Sequence, residues 1–186
     1  MSKKNFIIFG NTGFVGKNLE KYIKLKYKNN FIYGFGSKKI DLTKRKDAIK
    51  LRRHINSNSI IFFLSFNKNQ ANSSILDFEK NYMMIKNFFE LVKTKKPKKI
   101  IFFSTQSIYG EDTHNTNTTE RTTPDPSSYY GIAKYTAERL LLERQEFMVL
   151  VIHQKIMVQQ SLYIILLKTY LLQCGEMAWK KEIIST

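Results

Sequence analysis

The chain has 186 residues, 42% of them apolar, and 31 lysines and arginines against 15 acids give it a formal charge of +16. One domain of that size has enough apolar residues for a core, which excludes disordered and fibrous classes. A single cysteine, Cys174, excludes an internal disulfide, and His54, His114 and His153 stand far apart without ligand spacing, so no metal site is expected.

From the N-terminus, a strand over residues 6–9 runs into Gly10-Asn11-Thr12-Gly13-Phe14-Val15-Gly16 and then a helix over 15–27. Glycine lets a backbone come close enough for a pyrophosphate to sit on the helix N-terminus. The segment ahead of this turn is too short for a signal peptide. Further strands are expected at 31–35, 60–65, 100–104 and 148–152, and helices at 44–54, 75–95 and 128–146. This alternation predicts an α/β fold, a doubly wound parallel sheet of the Rossmann type. Ile60-Ile61-Phe62-Phe63-Leu64 is continuously apolar, as a strand covered on both faces should be. The densest basic run, Lys93 to Lys99, falls between a helix and a strand, where a solvated turn belongs. The charge is otherwise scattered, so a nucleotide cofactor is a better anionic partner than nucleic acid. A Thr/Asn/Pro-rich loop over 111–127 lies at the carboxyl end of a strand, where ligands meet such sheets.

Tyr130-Gly131-Ile132-Ala133-Lys134 puts a tyrosine and a lysine on one face of the 128–146 helix. A free phenol, with a pKa near ~10, is a poor base at neutral pH. A neighbouring ammonium favours the phenolate, which makes tyrosine a general acid/base for interconverting a hydroxyl and a ketone. Alone, the spacing also suits an ordinary exposed helical pair. Ser104-Thr105-Gln106-Ser107-Ile108-Tyr109-Gly110 ends a strand with hydroxyls that can bond a substrate oxygen, or can simply cap a turn.

Together these residues resemble the extended short-chain dehydrogenase/reductases, in their nucleotide-sugar epimerase/dehydratase branch, from residue 1 to about 152. G-x-x-G-x-x-G is that family's glycine turn. Ile40-Asp41-Leu42 resembles its adenine segment, and Asn81 falls where it has an asparagine on the central helix. Ser104 to Gly110 resembles its S-S-x-S-V-Y-G element, Glu120 with Pro124 and Pro126 its acid–proline–proline loop, and Tyr130 with Lys134 its catalytic pair. The resemblance implies Tyr130 as acid/base, Lys134 as its pKa partner and ribose anchor, and Thr105 as hydroxyl donor to the reacting oxygen, with Ser107 at the substrate. It places Gly10, Gly13, Phe14, Val15 and Gly16 along the pyrophosphate and Asp41 and Leu42 at the adenine, with Leu64, Asn81, Tyr130 and Lys134 also on the cofactor.

The implied reaction is hydride transfer between a nucleotide sugar, UDP- or dTDP-linked, and NAD or NADP. In an epimerase the keto sugar turns over and receives the hydride on its other face. A 4-reductase or dehydratase, or a non-catalytic NAD(P)-binding remnant, are the alternatives. Against dehydration, Gln106 and Ser107 stand where 4,6-dehydratases of this branch carry Asp-Glu. The strand at 60–65 ends in Phe63-Leu64-Ser65-Phe66 rather than the common His-Leu-Ala-Ala. After Gly34-Phe35-Gly36-Ser37 come Lys38 and Lys39 in place of the acid that binds a ribose 2′-hydroxyl, leaving NAD and NADP both open. A homodimer would use the 75–95 and 128–146 helices. The apolar run at 162–172 is interrupted by Lys168 and too short for a bilayer, so no membrane is expected and the cytoplasm is the default location.

After about residue 152 the family's R-P-x-N-x-Y-G-P does not follow, so residues 1–152 form the expected cofactor domain and 153–186 an off-pattern tail lacking the substrate-binding part. Starting at each third codon base, Met157-Val158 forces Gly, and Lys155 to Gln160 can read Asn-Tyr-Gly-Pro-Thr. In that same frame Glu176 to Thr186 can read Asp-Gly-Met-Glu-Lys-Arg-Asp-Tyr-Ile-Tyr. Two such windows point to a frameshift near His153. The other reading is a divergent tail with a helix over 153–172.

Overall fold

The structure is a computed structural model and describes residues 3–68, 74–110, 122–143, 148–153 and 182–185. Strand β1 (Asn5–Phe9) is buried at all of its positions because both of its edges are paired and both of its faces are covered. Helix α1 (Phe14–Lys26) follows, then β2 (Phe31–Phe35), α2 (Arg45–Lys50), β3 (Ser59–Phe63), α3 (Ile75–Lys95), β4 (Lys99–Phe103), α4 (Tyr129–Leu142), β5 (Met148–His153) and β6 (Glu182–Ser185). The strands are parallel in the order β2-β1-β3-β4-β5-β6. The doubly wound sheet expected from the alternation is therefore present.

Alternate residues of β1 feed two separate cores, as the period of a strand requires. Ile7 and Phe9 join Phe63, Phe88, Val92 and Phe102 in the larger layer, beneath α3 and α4. Phe6 and Ile8 join Leu19, Ile23, Phe62 and Ile101 in a smaller layer beneath α1. In the larger layer the ring of Phe63 lies 4.3 Å from that of Phe88 and 5.8 Å from that of Phe9, so an aromatic cluster supports the carboxyl ends of the central strands. Ser74 starts α3 with a capping box, its side chain and that of Asp77 each bonding the other's backbone N–H. Ser128 starts α4 by accepting from the Gly131 N–H at 3.1 Å.

Three expectations need correction. The helix expected at 44–54 is α-helical only over Arg45–Lys50 and tightens into a 3₁₀ turn over Leu51–His54. The strand expected at 60–65 ends at Phe63, where the chain leaves the sheet to form a wall of the cleft described below. The tail carries a strand that the sequence reading did not assign, β6, with Leu150 of β5 beside Glu182. His153 closes β5, and the rest of the helix drawn at 153–172 lies outside the described residues, as do Glu120 and residues 144–146.

Candidate functional site

After β1 the chain passes outward to β2 and then returns to the other side of β1 for β3. At such a reversal the loops diverge and leave a crevice at the carboxyl ends of the strands. Here it is a cleft of about 390 Å³, floored by Phe9, Gly10 and Gly13, walled by Asp41 on one side and Phe66 on the other.

The glycines of the turn serve different ends. Gly10 has φ +85, and a Cβ there would lie 3.1 Å from the Leu64 backbone. At Gly16 a Cβ would fall 2.2 Å from the Gly10 carbonyl oxygen, so the first turn of α1 rests directly on the glycine turn. Gly13 has φ −73 and ψ 169, open to any residue, and a Cβ there would meet only the Gly10 oxygen at 3.5 Å. Among the described residues nothing requires glycine at that position, whereas a ligand lying against the helix end would. The first turn of α1 also has neither a capping side chain nor an acid. An uncapped helix N-terminus facing a cleft through a residue without a side chain suits a diphosphate. Of the residues expected there, Gly10 and Gly13 line the cleft. Phe14 points outward, 55% exposed, Val15 packs on the smaller core, and Gly16 is buried beneath the turn.

Asp41, Leu42 and Leu64 line the cleft as expected. The Asp41 carboxylate closes its own turn, accepting from the Thr43 hydroxyl at 2.6 Å and the Thr43 N–H at 3.1 Å, with Lys44 at 3.2 Å. These bonds, that from the Thr43 hydroxyl foremost, hold its pKa below the ordinary carboxylate value. Asn81 does not line the cleft. It is fully buried and clamps the loop after β3, donating to Asn67 O at 2.9 Å and accepting from Asn67 N–H at 2.7 Å. The sequence reading also missed Thr12, Ser37, Asn67, Lys80 and Met84, all of which line the cleft. Lys80 and Met84 lie on α3 flanking Asn81 at helical spacing, the one signal that was available for them.

Beyond the Phe66 wall, α4 packs on a 3₁₀ turn over Gln106–Tyr109, so closely that a Cβ at Gly131 would lie 2.4 Å from Ser107 O. This contact brings Thr105, Ser107, Tyr130 and Lys134 to one end of the sheet. The Thr105 hydroxyl caps the turn, accepting from Ser107 N–H at 3.3 Å, and lies 3.3 Å from the Ser107 hydroxyl. The Tyr130 ring stands edge-on to Phe66 at 6.3 Å, with the ammonium groups of Lys68 and Lys134 at 5.6 and 5.7 Å from its centroid. Lys134 is only 3% exposed. Its ammonium donates to Phe103 O at 2.5 Å and lies 4.0 Å from the Phe66 centroid. One turn on, buried Glu138 accepts a hydrogen bond from the Ser104 hydroxyl.

Burial lowers the Lys134 pKa to about 7 against the opposing pull of Glu138, and raises that of Tyr130 to about 12. The lowered phenol pKa expected from the Tyr/Lys spacing is therefore corrected. Burial is the cause of the rise, the Lys134 nitrogen being turned to the β4 backbone, and Tyr130 is a protonated phenol at neutral pH.

The sequence model of the NAD dependent epimerase/dehydratase family matches residues 6–152. The chain belongs to that family. No match was found among curated proteins. Among solved structures the chain is similar to the UDP-glucose 4-epimerase of Thermus thermophilus in complex with NAD (TM-score 0.69, 17% identity, 80% of this chain and 54% of that one). It is similar to the ADP-L-glycero-D-manno-heptose-6-epimerase of Helicobacter pylori (TM-score 0.69, 17% identity, 81% and 55%). The dTDP-4-dehydrorhamnose reductase of Bacillus anthracis in complex with NADP is a third (TM-score 0.67, 22% identity, 82% and 54%). At these identities the likeness is one of fold, and the chain spans about half the length of each structure. The epimerase/dehydratase family is NAD-dependent, and the uncapped α1 terminus, glycine turn and cleft fit such a dinucleotide. Among the described residues no group of side chains could hold a metal, and no helix is long and apolar enough to cross a membrane.

Proposed function

We propose that this chain carries the cofactor half of an NAD(P)-dependent nucleotide-sugar oxidoreductase of the epimerase type. The reading rests on one observation: a side-chain-free helix N-terminus opens on a cleft whose far wall, Phe66, stands against Tyr130. When bound, the nicotinamide supplies the acceptor and donor of the hydride. Tyr130 exchanges the proton of the reacting hydroxyl, and Thr105 and Ser107 hold that oxygen. Buried Lys134 stands beside the tyrosine and, with a pKa lowered to about 7, exchanges its own proton near neutral pH. Gln106 and Ser107, which cannot shuttle protons at neutral pH, favour epimerisation or reduction over loss of water.

Tyr130→Phe tests this against the rival reading, a non-catalytic cofactor-binding remnant. Losing a general acid/base should cut turnover of UDP- or dTDP-hexoses by about 10²–10⁴, with a far smaller change in cofactor affinity. If the unaltered chain binds cofactor yet shows no turnover to lose, the remnant reading stands instead.

Of the two cofactors we favour NADP. The Asp41 carboxylate is engaged by Thr43 and Lys44, while Lys38 and Lys39 stand exposed beside Ser37 on the cleft rim. One charge-assisted bond to the 2′-phosphate should make NADPH bind about tenfold more tightly than NADH. Fluorescence titration with both would show this, and equal affinities would refute it. The same proposal includes a homodimer through α3 and α4, supported by exposed Ile75, Leu76, Tyr82 and Met83 on α3. It also includes a frameshift near His153, which gene sequence unable to encode both off-frame windows would exclude.

A further inference from the structure

We propose that Asn87 is a positioning residue for the adenosine end of the cleft, its amide fixing from α3 the loop against which the cofactor's adenosine lies; this rests on the cofactor-binding reading above. Asn87 is buried, and its side-chain nitrogen donates to two successive carbonyls, Leu42 O at 2.8 Å and Thr43 O at 3.1 Å. Both of those residues line the cleft. The remaining bonds stay within the turn and the helix that follows it: Asp41 with Thr43, Lys44 N–H to Asp41 O at 3.0 Å, and Asp41 N–H to the Asp47 carboxylate of α2 at 3.2 Å. They close the turn on itself and on the start of α2 without anchoring it to the sheet. The Leu42 side chain, in the larger core, and the Asn87 amide tie it to the body of the domain. One amide bridging consecutive carbonyls fixes two peptide planes and so sets the wall before any ligand arrives.

The opposite wall is held in the same way. Asn81, on the same helix, clamps Asn67 through a reciprocal pair of bonds, and that loop borders Tyr130 rather than Asp41. Helix α3 thus holds both walls of the cleft, each through an asparagine amide and each by bonds to backbone.

The test measures ADP affinity by calorimetry for the unaltered chain, Asn87→Ser and Asn5→Ser, with thermal unfolding of each. Asn5 is a buried asparagine of β1 that donates to His54 O at 2.6 Å and to the Ser59 hydroxyl at 2.8 Å and does not line the cleft. Asn87→Ser should weaken ADP about tenfold, while Asn5→Ser, at comparable loss of stability, stays within about twofold. A merely structural role would lower both affinities in step with stability, and that result, or unchanged ADP binding by Asn87→Ser, overturns the inference. Should Asn87→Ser fail to fold, Asn87→Gln keeps the amide but displaces it by one methylene and should weaken ADP in its place; unchanged affinity there also overturns it. If the unaltered chain binds neither ADP nor NADPH, the proposed function falls first and this assignment with it.

Discussion

Gly16→Ala is expected to lose both stability and cofactor binding. The three atoms nearest to an added Cβ, at 2.2, 2.6 and 2.9 Å, all belong to the backbone of Gly10 and Asn11. None is the end of a flexible side chain, so the glycine turn and α1 must separate. Overpacking of this kind costs about 1–3 kcal/mol, occasionally more, a serious fraction of the roughly 5–15 kcal/mol that holds an ordinary domain together. Separation would also carry the α1 N-terminus away from the cleft, and NADPH affinity should drop by at least about a hundredfold. Gly13→Ala is the informative contrast, because its Cβ has room. It should remain within about 1 kcal/mol of the unaltered stability and still lose cofactor. Denaturant titration beside fluorescence binding separates the two cases. A Gly13→Ala chain with full NADPH affinity would show that the helix end does not meet the cofactor.

The second large effect is a dependence of stability on pH centred on Lys134. Its pKa is about 7 in the fold against an ordinary value of 10.5. Between those values the unfolded chain holds a proton that the folded chain has released, so stability rises with pH, at up to about 1.4 kcal/mol per unit. Below pH 7 both states are protonated and the full cost of burying the ammonium is present. Tyr130 acts in the other direction at the alkaline end. Its pKa is raised from 10.0 to about 12, so above pH 10 the unfolded chain loses a proton that the fold retains, and stability falls. These two groups therefore give a maximum near pH 10, well above the usual range for a protein. The groups around Lys134 are Glu138 and Tyr130 on its own helix, Ser104 and the Phe103 carbonyl at the end of β4, and Phe66 after β3, with Lys68 across the tyrosine ring. The double variant Lys134→Met/Glu138→Gln removes the buried charges together and should flatten the rise between pH 7 and 10. A rise that persists in this variant would mean that other groups cause it. Turnover, where the unaltered chain shows it, should be lost in the same protein.

Local pattern made much of this fold legible. An apolar run ending in Gly10 and an amphipathic stretch beyond it are enough for β1, α1 and the turn between them. Continuous apolarity is enough for β3, because a strand covered on both faces has no polar side to display. The Tyr130/Lys134 spacing placed both residues on α4 and at the right end of the sheet. What the pattern does not carry is burial. The same spacing that puts an ammonium near a phenol says nothing of Phe66 and Phe102 closing over that ammonium, and so the sign of the tyrosine shift was lost. The walls of the cleft were hidden for a related reason. Their shape depends on bonds between residues far apart in the chain, such as Asn87 to Leu42, and an asparagine on a helix does not reveal its partner. In α2 the early change to a 3₁₀ turn at Leu51 follows tertiary packing of Leu51 and Ile55 in the larger core rather than helix propensity.

The two core layers, unequal among the described residues, bear on motion as well as on packing. Helix α1 rests on the smaller one, while α3 and α4 share the larger. Local opening is easiest where fewest apolar contacts must be given up, so amide exchange should be fastest for α1 among the three long helices. That helix also carries the anion-facing end of the cleft. A bound dinucleotide would hold down the segment most ready to lift, and the resistance of this protein to heat and to proteases would then follow the concentration of its cofactor.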